Sequence, residues 1–351
     1  MGYTGNVGAR VVKTDLTVYQ NITDGSASTE LSPTGAGFAG IPQQVVSVDT
    51  TKRSETDVLP SVNIALEATS DIIVRFAYSK TIAPLDLNQW GGGRNISIGN
   101  GYPDELTNPV PNNGLGATSA SQGGNPDLDM WKSTNTDLSF EWYANPTTLA
   151  SVGVFYMDIE SFVRSDTVID RTIADGDGVV RGRPVPLTTP VQGDGATIKG
   201  IEVGLKHGFD YLPGFWGDFG VDANYTYSPS TSGTDEATQD DLPFNDSSKN
   251  QANLVLWFEN EQGLQGRLAY NYRSERNAGE RGNNQTTRLY QKAISYLDAS
   301  VSYDVTDYST VYMNISNLTD EQEDYYYSFE DNYGGTRLFE RRATLGARFR
   351  F

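Results

Sequence analysis

Apolar and polar residues alternate with a period of two along most of the chain, and the last segment is the clearest case. Ala343, Leu345, Ala347, Phe349 and Phe351 share one side of an extended strand, with Arg342, Thr344, Gly346, Arg348 and Arg350 on the other. Leu264, Leu268, Tyr270 and Tyr272 likewise oppose Gln265, Arg267, Asn271 and Arg273, and Val311, Met313 and Ile315 oppose Thr310, Tyr312, Asn314 and Ser316. Arginine at every second position is costly against lipid and comfortable against a wet lumen, so these strands are expected to stand between the two. Leu264, Leu268, Val311, Met313, Ile315, Leu345, Phe349 and Phe351 then face lipid.

Extended over the whole sequence, this pattern predicts about twelve strands. They are expected at 7–20, 44–68, 72–82, 133–144, 149–165, 197–211, 219–230, 248–260, 264–276, 293–304, 310–318 and 338–351. Their connections alternate in length. Short ones fall at 69–71, 145–148, 212–218, 261–263 and 305–309, and long ones at 21–43, 83–132, 166–196, 231–247, 277–292 and 319–337. Short turns at one end and long loops at the other are the mark of an antiparallel transmembrane β-barrel of the outer-membrane kind, whereas a soluble sandwich has no reason to segregate them. The long connections, rich in Gly, Asn, Asp, Ser and Pro as at Gly91-Gly92-Gly93-Arg94-Asn95, read as irregular structure. No domain boundary interrupts the rhythm, so residues 1–351 are expected to form one barrel domain.

Composition agrees with a barrel wall. Only 37% of the 351 residues are hydrophobic, yet 20 Tyr, 14 Phe and 5 Trp make 11% aromatic, and the mean hydropathy is -0.47. Scarce but large apolar side chains suit strands that meet lipid on one face and water on the other. No run approaches the roughly 18 apolar residues of a membrane helix, so any span is made of strands. A formal net charge of -19 argues against nucleic acid as a partner. Absence of cysteine excludes disulfides, thiolate metal sites and cysteine catalysis. The first residues, Met1-Gly2-Tyr3-Thr4-Gly5-Asn6, have neither the basic nor the apolar region of a signal peptide, and Asn6 does not fit a myristoylation site. An exported barrel needs such a signal, so the chain is expected to be part of a longer protein.

Candidate chemistry is sparse. A Ser-His-Asp triad would have to use the single histidine, His207, and no serine lies in a Gly-x-Ser-x-Gly elbow, so no catalytic residues are expected and the chain reads as no enzyme. Asp175-Gly176-Asp177-Gly178 resembles the start of a calcium loop, but Val180 and Pro186 stand where such a loop needs Gly and a bidentate Glu, so no metal or cofactor is expected. Two loop segments gather negative charge: Asp235, Glu236, Asp240, Asp241 and Asp246, then Asp320, Glu321, Glu323, Asp324, Glu330 and Asp331. Solvation of long loops accounts for both, and attraction of cationic ligands or divalent bridging to lipopolysaccharide is the functional alternative. Loop aromatics are the binding candidates: Trp90 beside three glycines, Trp131 before a strand, and Tyr325, Tyr326 and Tyr327, all suited to stacking on sugar rings or planar chelates.

Several segments, in order, resemble the C-terminal barrel of TonB-dependent receptors. They are Leu59-Pro60-Ser61-Val62-Asn63 with Val74-Arg75-Phe76-Ala77-Tyr78-Ser79-Lys80-Thr81, then Gly124-Asn125-Pro126-Asp127-Leu128, Lys199-Gly200-Ile201-Glu202-Val203, Asn317-Leu318-Thr319-Asp320-Glu321, and the terminal Gly346-Ala347-Arg348-Phe349-Arg350-Phe351. The resemblance implies a barrel of about 22 strands around a plug, of which this chain would supply the C-terminal part, the plug and early strands being absent. It implies energised import of a scarce nutrient, such as a siderophore complex, a cobalamin-like compound or an oligosaccharide. The partners it implies are outer-membrane lipid and lipopolysaccharide, the small-molecule or oligosaccharide ligand, and the TonB complex through the missing N-terminal region. A self-contained twelve-stranded passive pore is the alternative from the residues alone, and a soluble all-β adhesin a more distant one.

Overall fold

The computed structural model describes residues 2–28, 43–99, 116–160, 163–175, 179–193, 195–233, 238–281 and 284–351. Among these, one meander of antiparallel strands forms a curved wall. Its strands are β1 Gly2–Ser28, β2 Gln43–Glu67, β3 Ile72–Ala83, β4 Trp131–Asn145, β5 Thr148–Ile159 and β6 Ala196–Gly208, followed by β7 Phe219–Tyr227, β8 Asn250–Glu259, β9 Leu264–Arg273, β10 Ile294–Thr306, β11 Ser309–Ser316 and β12 Arg342–Phe349. Each pairs with the next in sequence, from Gly2↔Glu67 at one edge to Ser316↔Arg342 at the other. The twelve strands expected from alternation are all present.

Register carries the two faces across the wall. Met313 of β11 lies between Val301 and Leu345, and Asn314 between Ser300 and Thr344, so an apolar row and a polar row run side by side from strand to strand. Gln265, Arg267, Asn271 and Arg273 of β9 continue the polar row opposite Glu259, Trp257, Asn253 and Gln251 of β8. The expected lipid face is therefore one continuous surface.

The wall is open. Among the described residues β1 pairs with β2 and, at one position, with a loop strand, and β12 pairs with β11, but β1 and β12 do not pair with each other. Side-chain exposure shows the same edges: outward residues flanked on both sides, such as Leu268 and Met313, are 40% and 37% exposed, whereas Tyr3, Val7 and Leu345 on the outermost strands reach 83%, 78% and 81%.

The long connections depart from the expected irregular structure. Strands Arg94–Gly99 and Gly116–Gln122 pair with each other, as do Val163–Asp170 and Val185–Gln192, and the two hairpins join in parallel through Ala120↔Leu187 and Ser121↔Thr188. A core of Ile96, Ala117, Ala120, Ile173, Val185 and Leu187 lies between them. Arg276–Arg281, Asn284–Gln291, Gln322–Tyr327 and Tyr333–Leu338 form a separate four-stranded sheet. Two expected strands are corrected by these hairpins. The 149–165 strand divides, because Val163 turns away from the wall into a loop hairpin, and the 338–351 strand begins at Arg342, because Leu338 belongs to the loop sheet.

Candidate functional site

Polar rows from seven neighbouring strands, β6 to β12, converge on the concave side of the wall. Near the short turns they bound an open concavity of about 910 Å³ that includes Lys206, Asp222, Arg267, Asp304, Arg348 and Arg350. A smaller recess of about 280 Å³ lies at the long-loop end, under the four-stranded loop sheet. Its wall carries Gln251, Asn253, Asn271 and Arg273 from β8 and β9, and its roof carries Arg276, Gln291 and Glu323 from the loop sheet.

Two guanidinium groups dominate this recess. Arg273 donates from Nε to Ser248 Oγ at 2.7 Å and also to the carbonyl of Asp246, while Arg276 pairs with the Asp246 carboxylate and the Gln291 amide. Glu323 accepts from the Tyr296 hydroxyl at 3.3 Å and the Tyr325 hydroxyl at 2.7 Å, with the Arg337 guanidinium 4.0 Å away. The arrangement offers charged and amide donors to a polar ligand that arrives from the loop end. Arg273 was legible as a lumen residue; Arg276 and Gln291 were not, since the expected strand ended there and the connection read as irregular.

The tyrosine cluster forms the body of the loop sheet. Tyr326 stacks on Tyr290 with ring centroids 5.3 Å apart, and Arg337 lies 5.1 Å over the Tyr325 ring. Both Tyr325 and Tyr326 are buried, and Tyr327 is half-buried. Desolvation, reinforced by a hydrogen bond to Glu275, pushes the Tyr326 phenol far above its ordinary value, and desolvation with a bond to Glu323 raises Tyr325. Both phenols therefore stay neutral and serve as donors to carboxylates.

Trp90 and Trp131 belong to another part of the loops. A short helix, Leu87–Gly91, turns Trp90 into a core of Val18, Leu85, Leu128 and Met130, with Trp131 packed against it. The Trp90 indole donates to the Leu128 carbonyl at 2.9 Å, and the same carbonyl accepts from Arg53 at 3.0 Å. Trp90 is 6% exposed and so closed to a ligand in this conformation. Trp131 is half-buried and meets Phe244 edge-on at 6.5 Å.

The other candidates have local roles. His207 points to the outer face, its Nδ1 2.8 Å from Thr148 Oγ1 and its ring near Phe209 and Tyr211. Asp175 is buried against Arg181 at 3.1 Å and the Ala117 amide at 3.1 Å; residues 176–178 of that segment lie outside the described residues. The acidic segments are partly compensated: Asp246 by Arg276, Asp320 by the Arg341 amide, and Asp324 by Thr336, whereas Asp235 and Glu236 lie outside the described residues.

An open antiparallel wall with a polar concave face and a lobe of paired loops is the context for the comparisons. A family model described as TonB dependent receptor-like, beta-barrel matches residues 2–318. The chain belongs to this family of TonB-dependent receptors. No curated protein matches the sequence. Among solved structures, the fold is similar to the siderophore receptor PirA from Acinetobacter baumannii, with TM-score 0.60 and 17% identity over 86% of this chain and 42% of that one. It is similar also to the ferric-catecholate import receptor Fiu from E. coli K12, with TM-score 0.60 and 18% identity over 99% and 42% of the two chains. A third, the ferric enterobactin receptor PfeA from Pseudomonas aeruginosa, gives TM-score 0.59 and 15% identity over 98% and 50%. The chain thus spans half or less of the length of these receptors. Membership places this TonB-dependent receptor chain in the bacterial outer membrane, with the apolar rows toward lipid, the long loops outside and the short turns toward the periplasm.

Proposed function

We propose that this chain is the C-terminal part of the barrel of an active importer, which carries a scarce nutrient across the outer membrane with energy delivered through TonB to a region outside residues 1–351. The observation that carries the reading is the family match along a wall whose concave face is polar from end to end. Unpaired β1 and β12 edges favour continuation into further strands over a closed twelve-stranded pore, because exposed N–H and C=O groups in lipid cost several kcal/mol each. The ligand is a siderophore complex, a cobalamin-like compound or an oligosaccharide, and PirA, Fiu and PfeA favour the first of these.

Ligand is met at the loop end, where Arg273 and Arg276 supply charge and Trp131 and Tyr327 supply half-exposed rings; Trp90, Tyr325 and Tyr326 hold the loops in place around them. Uptake of labelled ligands by cells carrying the full-length protein, with and without functional TonB, tests the proposal. Accumulation is expected to depend on TonB, and equal accumulation without it would identify a passive pore.

A further inference from the structure

On the outer wall, the connection between β6 and β7 differs from the other periplasmic turns. Those occupy 68–71, 146–147, 260–263 and 307–308 and carry one aromatic side chain among them, Tyr308. Residues 209–218 carry Phe209, Tyr211, Phe215 and Trp216 and close in a 3₁₀ helix, Gly214–Asp218. The backbone is shaped to double back. Gly214 has φ +61°, in the left-handed region, and a Cβ on Gly217 would stand 2.7 Å from the Leu212 carbonyl oxygen.

Doubling back brings the turn against the lipid face. The Phe215 ring lies 5.1 Å from both Phe219 and Phe258, and Trp216 lies 6.0 Å from Phe219. Phe219 and Phe258 are register partners on the same side of β7 and β8 as Val221 and Leu256. That side is the apolar one. The opposite side carries Asp222, which accepts from the Trp257 indole at 3.3 Å. Phe215 and Trp216 nevertheless remain 59% and 63% exposed, so two large rings extend the lipid face beyond the ends of the strands with none of the described residues over them.

We propose that residues 209–218 form an interfacial anchor that inserts Phe215 and Trp216 into the phospholipid of the periplasmic leaflet and fixes the depth of the barrel beside β7 and β8. Continuity with the lipid face identifies the occupant, since a protein partner at this place would have to sit within the membrane. Chemistry agrees: phenylalanine prefers acyl chains, an indole prefers the boundary where its N–H reaches headgroups, and Asp210 and Asp218 keep the two ends of the turn at water. The proposal rests on the outer-membrane placement but not on any ligand or on import.

Spin labels at Phe215→Cys and Trp216→Cys, introduced separately into a cysteine-free full-length protein, test it in vesicles of phosphatidylethanolamine and phosphatidylglycerol. Leu268→Cys on the lipid face and Gln262→Cys in another turn calibrate the measurement, and heat-modifiable migration checks that each variant is folded. Oxygen, which concentrates in lipid, is expected to relax both labels more than a water-soluble nickel chelate does, as at Leu268. A ratio at either folded site like that of Gln262 overturns the anchor, and so does shielding from both reagents, which would mean protein covers the turn. Failure at these sites with normal values at Leu268 leaves the barrel and its function standing.

Discussion

The indole of Trp257 lies across Gly220, its register partner on the neighbouring strand, so that a Cβ at position 220 would overlap Trp257 Cζ2. The ring is held there by its hydrogen bond to Asp222. Because it fills the space a side chain would need, Gly220→Val is expected to expel the indole, break that bond and destabilise the barrel by about 1–3 kcal/mol. Gly220→Val combined with Trp257→Ala should recover part of the loss. Urea titration of heat-modifiable migration measures both, and equal midpoints for wild type and Gly220→Val would show that the ring moves aside freely.

Met313 and Asn314 are adjacent in sequence and opposite in environment. Placing arginine at 313, between Val301 and Leu345, puts the charge in lipid and is expected to cost about 2–4 kcal/mol near the midplane. Arginine at 314, on the face that already carries Arg348 and Arg267, should cost far less. Folding titrations into lipid vesicles compare the two, and equal stability would reverse the assignment of faces.

What was legible in the sequence follows from the same contrast. Twelve wall strands declare themselves because lipid and water impose opposite demands on successive residues. Loop hairpins meet no such contrast. Tyr325, Tyr326 and Tyr327 are consecutive aromatics with no alternation, yet they lie in one strand, because the partners of that strand are other loops. The burial of Trp90 is hidden in the sequence for a different reason. The glycines around it suggest an open, irregular segment, but a Cβ on Gly92 would collide with the backbone of Gly123, and one on Gly124 with the backbone of Gly92. These glycines permit two segments to touch, and the contact closes the core around the indole. Arg276 and Gln291 became visible as site residues only when the loop sheet placed them over Arg273.

The two unpaired edges predict how the 351-residue chain behaves alone. Tyr3 and Val7 on β1 and Leu345 on β12 have lipid-type side chains on strands whose outer edges, among the described residues, find no wall strand to pair with, the single Ile22↔Arg94 pairing to a loop strand apart. The isolated chain is expected to aggregate or to remain protease-sensitive in detergent. A heat-resistant, protease-resistant monomer would instead mean that twelve strands close.

On the proposed reading, the loop residues divide by burial into those that shape the site and those that are expected to meet ligand. Trp90→Ala removes a ring enclosed by Val18, Leu85, Leu128 and Met130, so it is expected to cost about 3 kcal/mol of local stability and to expose the loops to protease. Tyr326→Ala should act similarly by removing the stack on Tyr290. Trp131→Ala and Arg276→Gln should leave the fold largely intact. In particular, the Asp246 side chain that Arg276 pairs with is 72% exposed, so water replaces the lost partner at little cost. Both changes should weaken binding instead, by about 2 kcal/mol, or roughly thirtyfold, for a ring or guanidinium at the centre of the contact. Equilibrium binding to the full-length protein, with Tyr270→Ala on the lipid face as control, separates the two groups. Unchanged affinity in Trp131→Ala and Arg276→Gln would move the ligand away from both residues, onto strand residues nearer the periplasm.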